Sequence, residues 1–324
     1  MKRKNNLYQE ICKMENIISA FDEVCKNVKN KNKVQNYKQY KCIYISRIYN
    51  ILNSKTYEVG KYNVFTIYDP KQRRIVSQNL QDKVINHLVA RHILYPSIMP
   101  CLIDQNVASR KGMGTHKGLE YAKEYNRKCK IKYKDYYILK CDVSKFFASI
   151  DKEILKEKLK RKIKDKDAID IVFKIIDSEE NGLCIGTMTS QALAIFYLND
   201  LDHYIKEELK IKYYVRYQDD FLLFNESKEY LKYCFEKIKD FLEKEHLQLN
   251  GKSRIYKNTN NFIFLGRNNK GKYARYRSVK RKIKYRRYLY NCNKINLMQY
   301  INTIECYKNL ITKNWIIFII FHFI

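Results

Sequence analysis

Two adjacent carboxylates, Asp219 and Asp220, lie between two short apolar runs of the chain. Tyr213–Val215 precedes them and Phe221–Phe224 follows, and β-branched and aromatic residues around a short polar tip predict a tight β-hairpin. Neighbouring carboxylates repel each other, and a divalent cation allows both to stay ionised. Because Mg²⁺ takes carboxylate oxygens together with substrate phosphates, the pair predicts a metal site for phosphate chemistry.

A third carboxylate, Asp142, follows an apolar run from Tyr137 to Cys141 that only Lys140 interrupts. Such a run predicts a buried strand. A carboxylate at the end of a buried strand is well placed to be a metal ligand. Asp142 could instead cap the next helix, but Asp151 is closer to that helix and is the better cap.

The charge of the chain predicts a polyanionic partner. The 324 residues include 64 Lys and Arg against 34 Asp and Glu, which gives a formal net charge of +30. Nucleic acid or an anionic membrane would satisfy this excess, and solubility alone needs far less of it. The 29 Tyr and 15 Phe favour nucleic acid, because aromatic rings stack on bases.

Two regions concentrate the cations. Pro70–Ile75 follows a predicted strand at Tyr62–Tyr68 and carries three of them, as in a basic hairpin that reaches a triphosphate, although a solvated turn is the simpler explanation of this segment alone. Between His246 and Thr303 there is no acidic residue, and tyrosines alternate with Arg and Lys. Cations in such a stretch can follow a phosphate backbone while the aromatic rings stack.

Two loops are suited to close approach by a ligand. Asn106–His116 places glycines among cations before a predicted helix, although it lacks the order of a P-loop. Gly182–Gln191 brings small and hydroxyl residues to the start of a helix predicted over 192–201. Each segment alone is also explained as a loop followed by a helix cap.

The remaining segments are predicted to be mostly helical. Periodicity predicts a helical lead-in over residues 1–60 with a solvated basic linker at Lys26–Lys38. A helix through Val84–Leu94 is expected to be broken by Pro96 and Pro100. Two amphipathic helices are predicted over 152–180 and one over 229–242.

Cysteine usage and the chain ends predict a cytoplasmic protein. The ten cysteines contain no C-x-x-C pair and no metal-ligand spacing with His, so we expect reduced thiols. The basic start Met1–Lys4 is not followed by the apolar stretch of a signal peptide. The apolar run Trp315–Ile324 is too short to span a bilayer, so no membrane association is expected.

Taken in order, these motifs resemble those of a reverse transcriptase over roughly residues 60–270. The resemblance implies an α+β right-hand polymerase fold, with fingers, a palm built on an antiparallel sheet, and a helical thumb. The implied regions are a helical N-terminal extension (1–60), fingers (61–135), palm (136–266, with a finger-like insertion at 152–180) and a basic helical thumb (267–324).

The resemblance also assigns roles to single residues. Asp142, Asp219 and Asp220 match the catalytic acids and, with the carbonyl of Val143, would bind the metals, while Lys252 would protonate pyrophosphate. The implied nucleotide-binding residues are Lys71 and Arg73 on the triphosphate, Phe147 as a steric gate against a 2′-hydroxyl, and Ile185, Gly186, Ser190 and Gln191. The implied primer grip, which contacts the primer, is Phe264, Leu265 and Gly266. The other implied primer and template contacts are Arg110, Lys111, Tyr217, Arg275, Arg277, Arg281 and Lys284.

The Ile-Gly…Ser-Gln segment at 185–191 is similar to that of diversity-generating retroelement reverse transcriptases, a prokaryotic group. Group II intron and retron enzymes have Gln-Gly-x-x-x-Ser-Pro there. The resemblance implies error-prone copying of a template RNA at adenines, dNTP substrates, an RNA–DNA heteroduplex and a basic accessory protein. Ile185 in place of Gln would remove a polar contact near the incoming nucleotide and loosen base selection. Gln218 departs from that group, which more often has Met.

The expected mechanism uses two Mg²⁺ ions, with Mn²⁺ as a possible substitute. Three alternatives stay open on sequence alone. They are a reverse transcriptase of a phage-defence or unassigned prokaryotic group, a non-catalytic RNA-binding protein on a polymerase scaffold, and a metal nuclease. The three acids argue against the second, and the paired fingers cations with the Ser-Gln loop argue against the third.

Overall fold

The computed structural model describes residues 3–28, 31–67, 73–260, 262–268 and 276–307. The chain divides into two compact units, Met1–Lys257 and Asn258–Ile324. The first unit contains the predicted N-terminal extension, the predicted fingers and most of the predicted palm. The second begins nine residues before the predicted thumb at 267.

The described elements are helices and short antiparallel strands. The helices are α1 Tyr8–Cys12, α2 Met14–Asn27, α3 Lys31–Gln39, α4 Lys41–Asn53, α5 Leu80–Leu88, α6 Tyr95–Ile98, α7 Thr115–Lys132, α8 Phe146–Ser149, α9 Lys152–Lys160, α10 Lys166–Asp177, α11 Met188–Tyr197, α12 Asn199–His203, α13 Lys228–Lys244, α14 Tyr276–Asn291 and α15 Leu297–Tyr307. The strands are β1 Asn63–Ile67, β2 Arg73–Ser77, β3 Tyr137–Asp142, β4 Tyr213–Tyr217, β5 Asp220–Asn225, β6 Arg254–Lys257, β7 Ile263–Phe264 and β8 Arg267–Asn268.

A four-stranded antiparallel sheet in the order β4–β5–β3–β6 supports the candidate site. Side chains alternate between its two faces. Leu139, Cys141 and Leu223 are fully buried on the face against which α13 packs. Asp142, the last residue of β3, lies opposite Asp220, the first residue of β5, on the other face. Burial of each large apolar side chain contributes about 1.5–3 kcal/mol, which fixes this register and therefore the positions of the acids.

The two strands β1 and β2 form a separate hairpin, with Phe65 opposite Ile75. This confirms the strand predicted at 62–68. The turn that joins the two strands lies outside the described residues. Helices α9 and α10 confirm the predicted amphipathic pair, and the side chain of Asp151 caps α9 by accepting from the amides of Glu153 and Ile154.

The predicted basic linker at 26–38 is wrong over most of its length, because α3 occupies residues 31–39. Tyr37 packs at the edge of the N-terminal core, with its ring centroid 5.8 Å from that of Tyr44 in an edge-on contact. This aromatic pair gives a short, basic helix an apolar contact with the core. A sequence rich in Lys and Asn conceals such a contact.

Pro96 does not break its helix as predicted. Helix α5 continues through a π-helical stretch at Val89–Leu94 into α6, where Pro96 occupies the first turn. A proline needs no amide donor in a first turn, and the wider π turn before it separates the ring from the preceding carbonyls. Pro100 lies in the 3₁₀ turn Met99–Cys101, where the continuous helical segment Leu80–Ile98 ends, so the predicted break at Pro100 is confirmed.

The second unit begins with the β7–β8 hairpin, whose turn residues Leu265 and Gly266 both have positive φ, at 48° and 77°. This is the pattern of a type I′ turn. Helices α14 and α15 pack together, and the Tyr290 and Tyr300 rings stack with centroids 5.6 Å apart.

None of the described helices has the length and apolar character needed to cross a bilayer. The apolar run predicted to be too short, 315–324, lies outside the described residues.

Candidate active site

The hairpin predicted around the acid pair is present. Strand β4 ends at Tyr217, β5 begins at Asp220, and Gln218 and Asp219 form a two-residue turn. Gln218 has a φ of +56°, in the left-handed region that side-chain-bearing residues rarely adopt. A positive φ at the first of two loop residues is typical of a type II′ turn. A glutamine there is strained, so its surroundings must hold the turn in place.

The fully buried guanidinium of Arg216 holds this turn. Its Nη1 donates to the carbonyl of Gln218 at 2.9 Å, and its Nη2 donates to the carbonyl of Ile195 at 3.0 Å. Its Nε donates to Asp202 Oδ1 at 2.7 Å, and Nη2 also donates to Oδ2 of that carboxylate. The hydroxyl of Tyr214 donates to the same carboxylate at 2.7 Å. The buried ion pair therefore joins α12 to the last residues before the acids.

The loop beginning at Asn106 covers the free edge of β4. The amide of Arg216 donates to Gln105 O at 2.9 Å, and the amide of Val107 donates to Arg216 O at 3.0 Å. Arg110, predicted to contact primer or template, donates from Nη1 to the carbonyls of Ile103 and Asn106 at 2.7 and 2.8 Å. Part of its guanidinium is thus used to shape the loop.

Sequence reasoning missed Arg216 and Asp202 as determinants of the site. A signal was available, because Arg216 is the only cation in the apolar run at 213–217. A buried charge requires a buried partner. Which of the 34 acids supplied that partner was not readable from the sequence.

Asp142 is fixed by a loop that follows α13. The amide of Asn250 donates to Asp142 O at 2.7 Å, and Asn250 Nδ2 donates to Asp142 Oδ2 at 3.0 Å. The amide of Val143 donates to Asp219 O at 3.2 Å, which ties the end of β3 to the hairpin turn. Lys252 is exposed in this loop, and its amide donates to Asn250 Oδ1 at 3.1 Å.

Asp220 is half-buried, with 22% of its side chain exposed. Burial raises the pKa of its carboxyl to about 6, and repulsion from Asp142 and Asp219 adds to the rise. The ammonium of Lys140, which forms an ion pair with Asp220, opposes this shift. The three carboxylates are therefore close enough to interact electrostatically.

The chemistry of these donors fits a hard divalent cation. Carboxylate oxygens are the ligands that Mg²⁺ prefers, and Asp142 and Asp220 share one face of adjacent strands. Among the described side chains, however, no three acids, His or Cys converge around a common point. The assignment of Asp142, Val143, Asp219 and Asp220 as metal ligands stays a prediction.

The segment after Asp142 packs tightly against the loop at Gly182. The amide of Leu183 donates to the carbonyl of Phe147 at 2.7 Å. Phe146 is buried and Phe147 half-buried, with ring centroids 5.8 Å apart. Gly182 has a φ of +56°, and a Cβ added there would lie 2.2 Å from the Phe147 carbonyl oxygen. The role of Phe147 as a steric gate stays a prediction, but its backbone position depends on this glycine.

We expect Gly182→Ala to lower the free energy of unfolding by about 2–4 kcal/mol, because the new methyl group requires a left-handed backbone and displaces main-chain atoms. Gly251→Ala is the matched control, since Gly251 has no atom within 4 Å of its added Cβ. Urea unfolding of both variants followed by circular dichroism measures the difference. Equal midpoints for the two variants would show that the Gly182 contact carries no strain.

The Ile-Gly segment is held against the β1–β2 hairpin. The amide of Val76 donates to Ile185 O at 3.2 Å. Gly186 has a φ of +125°, and a Cβ there would lie 2.8 Å from Val76 O. Ser190 is buried, and its hydroxyl accepts from Thr187 Oγ1 at 2.7 Å. In this position Ser190 stabilises the loop through its hydrogen bond with Thr187, and its contact with a nucleotide stays a prediction.

A chain of side-chain hydrogen bonds joins three of the predicted motifs. Gln218 Nε2 donates to Ser109 Oγ at 3.0 Å, and Ser109 Oγ donates to Gln191 Oε1 at 3.4 Å. The hairpin turn, the loop at 106–116 and the start of α11 thus meet at one place. At this meeting point Gln191 is exposed and Gln218 is half-buried.

Other predicted contacts are only partly described. Lys71 and Arg275 lie outside the described residues, and so do the side chains of Arg73 and Arg277. Arg74, which follows Arg73 in β2, pairs with Glu179 at 2.7 Å.

The other predicted contacts are placed in three settings. Tyr217 packs against the small cluster of Leu102, Ala108 and Ile195, and Lys111 is exposed. In the second unit, Phe264, Leu265 and Gly266 form the β7–β8 hairpin, and Arg281 and Lys284 are exposed on α14. All of these contacts with nucleic acid stay predictions.

Residues 60–268 match the family model described as reverse transcriptase (RNA-dependent DNA polymerase). No curated protein matches the chain. The fold is similar to that of an apo telomerase from Candida tropicalis truncated from the C-terminal domain, at 14% identity and a TM-score of 0.52 over 67% of this chain and 56% of that one. A Candida albicans telomerase with a TWJ fragment of telomeric RNA matches at 13% identity and a TM-score of 0.50, over 72% of this chain and 47% of that one. A Candida tropicalis telomerase with such a fragment matches at 13% identity and a TM-score of 0.53, over 86% of this chain and 56% of that one.

The chain spans about half the length of these telomerases. At 13–14% identity the likeness concerns the fold. It confirms the predicted fold class, a right-hand polymerase of helices and an antiparallel sheet.

Proposed function

The chain belongs to the reverse transcriptase (RNA-dependent DNA polymerase) family, and we propose that it copies an RNA template into DNA by nucleotidyl transfer. The observation that carries this proposal is the register that sets Asp142 opposite Asp220, with Asp219 in the adjoining turn. All three acids lie within the matched residues 60–268. A strained turn that a buried ion pair holds beside three acids is typical of a catalytic site, and binding RNA alone does not require it.

Asp142, Asp219, Asp220 and the carbonyl of Val143 would hold two Mg²⁺ ions, or Mn²⁺ in their place. When bound, these ions would lower the pKa of the primer 3′-hydroxyl and stabilise the charge of the leaving pyrophosphate. The protein's own contribution is positional: Asn250 orients the Asp142 carboxylate, and Arg216 fixes the turn that carries Asp219. Lys252 is exposed in the loop that also carries Asn250 and is proposed to protonate pyrophosphate.

The proposed substrates are dNTPs, and the proposed partners are a template RNA, a primer and their RNA–DNA heteroduplex. The β1–β2 hairpin, with Lys71 and Arg73, would bind the triphosphate as the fingers do. Exposed cations of α14, including Arg281 and Lys284, would contact the nucleic acid backbone as a thumb. Phosphate contacts of this kind make binding fall steeply with salt.

We further propose the diversity-generating retroelement type, in which copying is error-prone and a basic accessory protein takes part. The support is the Ile-Gly…Ser-Gln loop at 185–191. Ile185 has an apolar side chain where the group II intron and retron pattern has Gln, and Gly186 allows the loop to approach β2 closely. A side chain without fixed donors selects less strictly among base pairs.

Sequencing the products copied from a defined RNA tests both levels of the proposal. We expect DNA synthesis with substitutions concentrated at template adenines, and fewer of them from Ile185→Gln. Synthesis with evenly spread, rare errors would place the protein in another reverse transcriptase group, such as a phage-defence type. Equal error rates for wild type and Ile185→Gln would remove the proposed role of Ile185, and no synthesis at all would contradict the polymerase assignment.

A further inference from the structure

Lys140 interrupts the apolar strand β3 two residues before Asp142, so both lie on the face of the sheet that carries the acids. Only 18% of its side chain is exposed. A buried ammonium requires an anionic partner, and Lys140 finds one in Asp220 Oδ1. The register places Lys140 opposite Leu222, so its ammonium must extend along the strands to reach Asp220.

This contact takes up one of the carboxylate oxygens that a metal ion would need. Only 22% of the Asp220 side chain is exposed, so a negative charge there requires a compensating cation. The other two acids have separate anchors: Asp142 accepts from Asn250, and the carbonyl of Asp219 accepts from Val143.

We propose that Lys140 is a built-in counter-ion of Asp220, which holds the acid in the metal-free enzyme and competes with the divalent cation for its carboxylate. The inference rests on the proposed function, because it assigns the three acids to a metal site. It makes Lys140 a positioning residue that sets the metal affinity. The pairing holds the Asp220 side chain in place before substrate arrives and weakens metal binding by the free enzyme.

Mn²⁺ binding to the 324-residue chain, without nucleotide or nucleic acid and at one fixed alkaline pH, tests the proposal. The fraction of free Mn²⁺ is followed by electron paramagnetic resonance, and Asp220→Asn supplies the background from other sites. We expect Lys140→Met to bind Mn²⁺ more tightly than wild type, on the order of tenfold, because a unit positive charge close to the site is removed. Lys140→Arg, which keeps the charge, should stay near wild type.

Lys257→Met is the matched control, since Lys257 lies on β6 of the same sheet and pairs with Asp135 at 3.2 Å. Its Mn²⁺ affinity should equal that of wild type. If Lys140→Met does not fold, Lys140→Gln makes the same comparison with a polar side chain. Affinity for Mn²⁺ that is unchanged or weaker in the neutral variants overturns the competition. Wild-type binding no greater than that of Asp220→Asn overturns the metal site, and with it the proposed function.

Discussion

Asp219→Asn is expected to reduce primer extension by on the order of 10³-fold or more, a loss of about 4 kcal/mol in transition-state stabilisation. The substitution keeps the size of the side chain and removes its charge. The backbone link between Asp219 O and the amide of Val143 does not depend on the side chain, so the turn should keep its shape. The expected loss is therefore one of chemistry and leaves the fold in place.

Single-turnover extension of a labelled primer on RNA, with saturating dNTPs and Mg²⁺, measures this loss. Asp240→Asn is the matched control, because Asp240 is an exposed acid on α13. Thermal unfolding should give the same midpoint for both variants within experimental scatter. An Asp219→Asn protein as active as Asp240→Asn would mean that the acid pair takes no part in catalysis.

Local sequence patterns were sufficient to predict most of the candidate active site. The hairpin at 217–220 and the strand ending at Asp142 were predicted because alternation and β-branched residues determine strands locally. The pairing of those strands then follows from burial of their apolar faces. For the same reason the cap at Asp151 and the helix pair after it were predicted with nearly their observed bounds.

The features that were missed depend on partners far away in sequence. Helix α3 is stabilised through the contact of Tyr37 with Tyr44 on the next helix, whereas its own composition indicates a solvated linker. The helix stays continuous through Pro96 because a π-helical stretch precedes the proline, and no local sequence rule predicts that stretch. The ion pair of Lys140 with Asp220 requires the register of two strands 80 residues apart.

Arg216 is the missed residue with the largest expected effect on stability. Both partners of its ion pair with Asp202 are completely buried. Removing one partner of a buried pair leaves the other charge without compensation, at a cost of about 3–5 kcal/mol. We therefore expect Arg216→Met to lower the free energy of unfolding by that amount, measured by urea denaturation.

A double variant separates the charge from the packing. In Arg216→Met with Asp202→Asn neither partner of this pair is charged, and the amide can still accept from Tyr214, which donates to Asp202 at 2.7 Å. We expect the double variant to be more stable than Arg216→Met by about 1–3 kcal/mol. A double variant no more stable than the single one would mean that volume, and not the unpaired carboxylate, accounts for the loss.

The same pair of variants links stability to the hairpin turn. Arg216 Nη1 is the donor that holds the carbonyl of Gln218, and Gln218 is the strained residue of the turn. Restoring stability with Asp202→Asn does not restore this donor. Primer extension by the double variant should therefore stay at least about tenfold below wild type even where its unfolding midpoint recovers. Activity that recovers together with stability would show that the turn keeps its shape without Arg216, and that the residue serves the fold alone.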